Sequence, residues 1–189
     1  MSAVTQEKTP AAIQALTGER LAINPGCSRC GLCQTSEAQN GYAVVRRVCV
    51  GGAGPRTATI MFIGEALGSE EVLQGIPFVG AAGKVFTDCL AAAGIARDEV
   101  YVTNMVKCRP PQNRVPRSRE IAACLPYLLQ EIEALKPNVI VLVGSTAMTA
   151  FLGPLSITKV HGQVFTVEGF DARFVPVFHP SYVLRRADD

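Results

Sequence analysis

The period of the apolar positions changes several times along the chain. Residues 57–63 form an apolar run that predicts a core strand, and 139–143, almost wholly β-branched, predicts a strand buried on both faces. Runs at 100–103 and 173–178 carry the same signature. The segment 164–167 faces 173–178 across Glu168-Gly169, as paired strands or a hairpin would. A further strand is expected within 41–50. Helical spacing separates these runs. Val85, Phe86, Cys89, Leu90 and Ala93 recur on the apolar face of a helix over 84–93 that Gly94 stops. A longer helix is expected from Arg117 or Ser118 to Leu135; Pro126 inside it predicts a kink or division, and Pro137 closes it. Gly144-Ser145 turns into a third helix ending near Gly153, and 9–17 predicts a short one ended by Gly18. Strands alternating with helices predict an α/β fold, a three-layer α/β/α sandwich around a mainly parallel four-stranded sheet. Without a repeat or linker, the 189 residues read as one domain, with 1–24 as an N-terminal helix or tail.

Composition narrows the class. At 48% apolar and 18% charged residues the chain is globular. No apolar run reaches the roughly 18 residues of a membrane helix. The opening M-S-A-V-T-Q-E-K-T-P lacks a basic region followed by an apolar block, so no secretory signal is read and a cytoplasmic location is expected. A net charge of +2 does not by itself indicate nucleic acid. Its distribution says more: Lys107, Arg109, Arg114, Arg117 and Arg119 crowd one connection, with Arg185 and Arg186 near the end. The arm 107–116 holds three prolines and fits no regular element.

Seven cysteines without a signal favour metal or reactive thiols over disulfides. The knuckle at 27–33 presents Cys27 and Cys30 with C-x2-C spacing, while Cys108 and Cys124 stand as C-x15-C. Four such thiolates suit zinc or an iron–sulfur cluster equally; the wide second pair tilts the reading slightly toward a cluster. Cys33 is a nearby spare. Cys89 on its helix and Cys49 in the 41–50 strand read as small hydrophobes.

The segment 60–83, I-M-F-I-G-E-A-L-G-S-E-E-V-L-Q-G-I-P-F-V-G-A-A-G, organises the chemistry. A buried strand leads into a glycine-rich loop with Glu65, Glu70, Glu71 and Phe78. In open α/β sheets ligands bind beyond the carboxyl ends of strands. Three strand ends carry polar groups: Glu65, Asn104 and His179. An Asn amide both donates and accepts, as pairing with an O=C–N–H edge such as uracil's requires. A His can donate to an oxygen that gains negative charge, and an aromatic can stack on a base.

The segments G-E-A-L-G-S-E-E, Q-G-I-P-F-V-G-A-A-G, V-Y-V-T-N-M-V-K-C-R-P-P-Q-N-R, S-I-T-K-V-H-G and F-H-P-S-Y-V-L-R resemble the family 4, iron–sulfur uracil-DNA glycosylases, from about Cys27 to Arg185. The resemblance implies a structural [4Fe–4S] cluster on Cys27, Cys30, Cys108 and Cys124. It implies uracil contacts at the backbone of Glu65 and Ala66, the ring of Phe78, the Asn104 amide and the His179 imidazole. Glu71 and Asn113 match positions that support catalysis. Uracil-containing DNA would be the substrate of a monomer, with free uracil the product. Arg109 and Arg114 would contact phosphates, and Tyr182 to Arg185 would press into the gap left by a flipped nucleotide. A non-catalytic deaminated-base-binding protein of the same fold is the alternative reading. Leu67, Val72 and Ile76 depart from the family pattern, Leu67 replacing a proline, which predicts a less rigid pocket loop. No His lies between Lys107 and Cys124, so covalent capture of DNA is not expected.

Overall fold

In a computed structural model of the chain, residues 27–40, 43–46 and 49–187 are described, and the helix expected at 9–17 lies outside them. The elements run α1 (Leu32–Thr35), β1 (Glu37–Asn40), β2 (Ala43–Arg46), β3 (Ile60–Gly64), α2 (Ser69–Gln74), α3 (Ala81–Ala92) and β4 (Tyr101–Asn104). They continue with α4 (Ser118–Leu135), β5 (Val139–Val143), α5 (Ser145–Leu152), α6 (Ile157–Val160), β6 (Phe165–Thr166), β7 (Arg173–Val177) and α7 (Pro180–Ala187). β1 and β2 form a separate antiparallel pair. The central sheet has the order β4-β3-β5-β7-β6. β3 pairs in parallel with β4 and β5, and β5 with β7; only β6 runs antiparallel, against β7. The four expected parallel strands are therefore present, and the predicted 164–167/173–178 pairing adds a fifth strand at the edge.

Alternation along the strands builds two cores. Met61 and Ile63 of β3, Ile140 and Leu142 of β5 and Tyr101 of β4 face α4 and α5, where Leu128, Ile132, Leu135, Ala147 and Met148 meet them. Phe62, Val141, Val143 and Val102 point the other way, onto Phe86 and Leu90 of α3. A sheet buried on both faces needs apolar side chains at successive positions, which is why 139–143 has no polar residue. Among the described residues no helix is long and apolar enough to cross a membrane.

Two elements differ from the sequence expectation. α2 is a helix inside what reads as a continuous loop; Gly75, at φ 69°, ends it after six residues. α4 is not divided at Pro126 but runs unbroken over 18 residues. Pro126 is exposed, so the carbonyl bond lost to its ring is open to water and leaves no deeply buried group stranded. The start of α4 is fixed by Glu120, which accepts the Arg117 N–H at 2.7 Å.

Because Pro126 removes one helical hydrogen bond within α4, Pro126→Ala is expected to raise stability by about 1–3 kcal/mol. A urea midpoint that falls instead would mean α4 depends on the local geometry proline imposes.

Candidate active site

The four parallel strands end on one side of the sheet, and β3 hands the chain first to β4 on one flank and later to β5 on the other. A crevice opens where such connections diverge. Here it is a cleft of ≈ 800 Å³, walled by Glu65 and Ala66 after β3, Gly144 to Thr146 after β5, Phe178 and His179 after β7, and Phe78, Asn113 and Arg114 from the connecting loops. Glu65, Phe78 and His179 thus share one cavity. Asn104, at 3% exposure, is not among the lining residues; its amide oxygen is buried at the ring of Phe78, which is.

Phe78 and Asn104 meet over Gly64. A Cβ at Gly64 would stand 2.5 Å from both the Phe78 ring tip and Asn104 Oδ1, so only glycine permits this approach. Phe78 itself has φ 56°, a left-handed conformation that costs a non-glycine residue about 1–2 kcal/mol. Its neighbours hold it there. Glu71 Oε1 accepts the N–H groups of Val79 and Gly80, each at 2.9 Å, and Oε2 accepts that of Gly68 at 3.0 Å. Arg97 donates to the Pro77 carbonyl at 3.1 Å and lies 5.0 Å above the Phe86 ring, which in turn packs 5.0 Å from Phe78. Burial of that guanidinium lowers its pKa to about 10. Asn104 Oδ1, buried beside the ring, has no hydrogen-bond partner among the described residues.

The His179 ring lies 6.1 Å from that of Phe78. The Ser181 backbone N–H donates to Nδ1 at 3.2 Å, and Ser181 Oγ lies 2.8 Å from the same nitrogen. A backbone N–H can only donate, so Nδ1 accepts and the neutral ring carries its proton on Nε2. Gly144, at φ 91°, gives the imidazole room: a Cβ there would lie 3.1 Å from that of His179. Across the cleft the Glu65 carboxylate accepts the Thr146 hydroxyl.

The arm frames the mouth. Arg114 Nη1 and Nη2 donate to both oxygens of Glu120 at 2.8 and 2.7 Å, which holds the Glu120 carboxyl down to about 2. Arg109 donates to Asn113 Oδ1 at 2.7 Å and to the Glu37 carbonyl at 2.8 Å. Asn113 lines the cleft; its side-chain oxygen accepts from Arg109, and no hydrogen bond joins its amide to Glu71. Arg185 falls on α7, beyond the described side chains.

The thiols gather at the far end of the arm. Cys108 and Cys124 are buried with Leu32 and Val106, and Cys30, Cys33 and Cys49 pack around them. Cys27 is also buried. Cys49 is therefore no isolated strand residue: its Sγ lies 4.0 Å from that of Cys108. Cys89, expected on an apolar face, is exposed. The Lys107 N–H donates to Cys124 Sγ at 3.2 Å, and burial pushes the Cys124 thiol up to about 11. No three Cys, His, Asp or Glu side chains among the described residues converge closely enough to hold a single metal ion.

Comparison with known proteins decides the family. Residues 52–189 match the uracil DNA glycosylase superfamily. The chain is 40% identical to the type-4 uracil-DNA glycosylase of Archaeoglobus fulgidus, over 83% of this chain and 79% of that one. Against the type-4 enzyme of Thermotoga maritima it is 47% identical, over 71% of this chain and 70% of the relative. The chain belongs to the uracil DNA glycosylase superfamily. A type-5 uracil-DNA glycosylase of Pyrobaculum aerophilum is also similar, at 32% identity over 64% of this chain and 53% of that one.

Several residues of this glycosylase-family cleft escaped sequence reasoning. Thr146 is one of many threonines, and nothing local marks it as a partner of Glu65. Ser181 carried a signal in H-P-S, because a hydroxyl two residues after a His can reach back to Nδ1. Leu67, Val72 and Ile76 are all buried, at 2% exposure or less. The loop is thus anchored by apolar packing where a proline was expected to stiffen it.

A depressed carboxyl stabilises the folded state above its ordinary value and loses that contribution as pH falls toward the folded one. Glu120→Gln should therefore lower the urea midpoint at neutral pH. The gap to the unsubstituted protein should close between its ordinary 4.5 and about 2. A gap independent of pH would disconnect Glu120 from its ion pair.

Proposed function

We propose that this chain removes uracil from DNA: it draws the nucleotide into the cleft, hydrolyses the N-glycosidic bond and leaves an abasic site with free uracil. The observation that carries this reading is the orphaned Asn104 Oδ1, a buried acceptor beside the ring of Phe78. An unpaired buried acceptor costs about 1–3 kcal/mol, a cost that a ligand donor would remove. Uracil offers an N–H flanked by two carbonyls; cytosine offers a bare ring nitrogen at that place, which would leave the oxygen unpaired. Phe78 stacks on the base. A base inside a duplex is out of reach, so flipping precedes chemistry.

Bond cleavage leaves charge on the uracil oxygens and a cationic sugar. The His179 tautomer keeps a proton on Nε2, suited to donate to the oxygen that becomes negative. Glu65, fixed by Thr146, orients the water that attacks the anomeric carbon. Glu71 is occupied by three backbone N–H groups and acts by holding the Phe78 loop. Arg109 and Arg114 supply positive charge along the mouth of the cleft, where phosphates run.

Cys27, Cys30, Cys108 and Cys124 would hold a [4Fe–4S] cluster in this reading, and it would serve a structural role. The donor set fits in kind: all sulfur, with Cys30, Cys108 and Cys124 packed with Leu32, Val106 and Ile121, Cys27 buried, and the Lys107 N–H directed at Cys124 Sγ.

Uracil release from an oligonucleotide, read as strand cleavage after alkali, tests the activity. His179→Ala and Asn104→Ala should each slow release by roughly 100–1,000-fold with DNA binding retained; turnover at the unsubstituted rate would remove that residue from the reaction. A protein that binds uracil-containing DNA without release would be a sensor, contrary to this proposal.

For the cluster, protein purified without oxygen should carry about four irons and four sulfides per chain and absorb near 400 nm. Cys108→Ala should lose both. Stoichiometric zinc without sulfide would refute the assignment.

A further inference from the structure

Behind Asn104, on the side away from the cleft, lies a charged pair with almost no contact to solvent. Lys107 is 0% exposed and Glu131 2%. Lys107 Nζ donates to Glu131 Oε2 at 2.6 Å, to Thr103 Oγ1 at 2.5 Å and to the Asn104 carbonyl at 2.9 Å. All three ammonium protons are thus placed. The Thr103 hydroxyl donates in turn to Glu131 Oε2 at 2.8 Å, and Glu131 Oε1 accepts the Gly52 N–H at 2.9 Å.

A buried ion pair is weak support for stability, since apolar side chains of similar volume often serve as well. This one does something an apolar pair cannot. β4 is an edge strand. On its open side Val102 bonds to Ala53, and Asn104, two residues on, faces the same way. The Asn104 carbonyl therefore has no strand partner, and Lys107 supplies one. We infer that Lys107 and Glu131 are positioning residues for base selection: they fix the backbone of Asn104, and with it the direction of the amide that reads uracil. The inference rests on the function proposed above.

The test substitutes both charges together, because a single substitution would strand the other. Lys107→Met with Glu131→Leu should fold and retain iron, yet lose roughly 10–100-fold in uracil release. The loss should appear in the single-turnover rate, with DNA affinity unchanged, and the preference for uracil over cytosine should shrink. If this pair does not fold, Lys107→Gln with Glu131→Gln gives the same readout, because two amides can pair while the shorter side chain at position 107 cannot reach the Asn104 carbonyl. A folded double variant with the original rate and preference overturns the inference. Failure of the unsubstituted protein to release uracil would instead overturn the proposed activity, so the two outcomes are distinct.

Discussion

The close approach of Phe78 and Asn104 over Gly64 constrains everything around it. It places an aromatic ring and a carboxamide from distant parts of the chain on one spot, and it requires that Gly64 have no side chain. Phe78 meets it from a left-handed backbone. The loop between β3 and α3 is built to hold that conformation. Glu71 ties both of its ends, Arg97 grips the carbonyl before the ring, and Gly83 lies against the Phe78 backbone so closely that no Cβ would fit. Strain and an unpaired acceptor both destabilise the fold, by about 1–3 kcal/mol each. Two apolar cores on opposite faces of the sheet offset them.

That offset explains how the loop tolerates unusual residues. Leu67 and Val72 join Ala38 and Val50 in a small apolar cluster that ties the cleft loop to β1. A proline would restrict the loop through its ring; here burial of large side chains restricts it through packing. The two devices act on different states. Proline narrows the unfolded ensemble, whereas packing lowers the folded one. The rigidity that matters at Phe78 is a property of the folded state, so either device serves.

What the sequence made legible follows from which interactions are local. β5 was readable to the residue, because burial on both faces leaves a continuous apolar run. The polar strand ends Glu65, Asn104 and His179 were also readable, since parallel strands necessarily deliver their carboxyl ends to one side. α2 was not, because six residues framed by glycines carry too little periodicity. Pro126 misled because a helix held by packing along most of its length absorbs one missing hydrogen bond without dividing. Cys49 misled for a different reason. Its neighbourhood resembles a strand, and only the tertiary fold brings it to Cys108 across 59 residues of chain. The Lys107–Glu131 pair was likewise invisible, because a Lys in a basic arm and a Glu in a helix both look solvated until burial is known.

The two carboxylates of the cleft loop show how environment assigns roles that spacing cannot. Glu65 and Glu71 stand close together in sequence, and both line the cavity. Each oxygen of Glu71 already accepts backbone N–H bonds, and rotating it toward a water would leave those donors unpaired. Asn113, which also lines the cleft, makes no hydrogen bond to Glu71. Glu65 accepts the Thr146 hydroxyl on Oε2. A carboxylate offers about four lone-pair sites, so Glu65 keeps capacity to accept from a water while Thr146 prevents it from swinging away. The same residue type thus serves as a structural staple at one position and, at the other, as an anchored group with acceptor capacity to spare on the cleft wall.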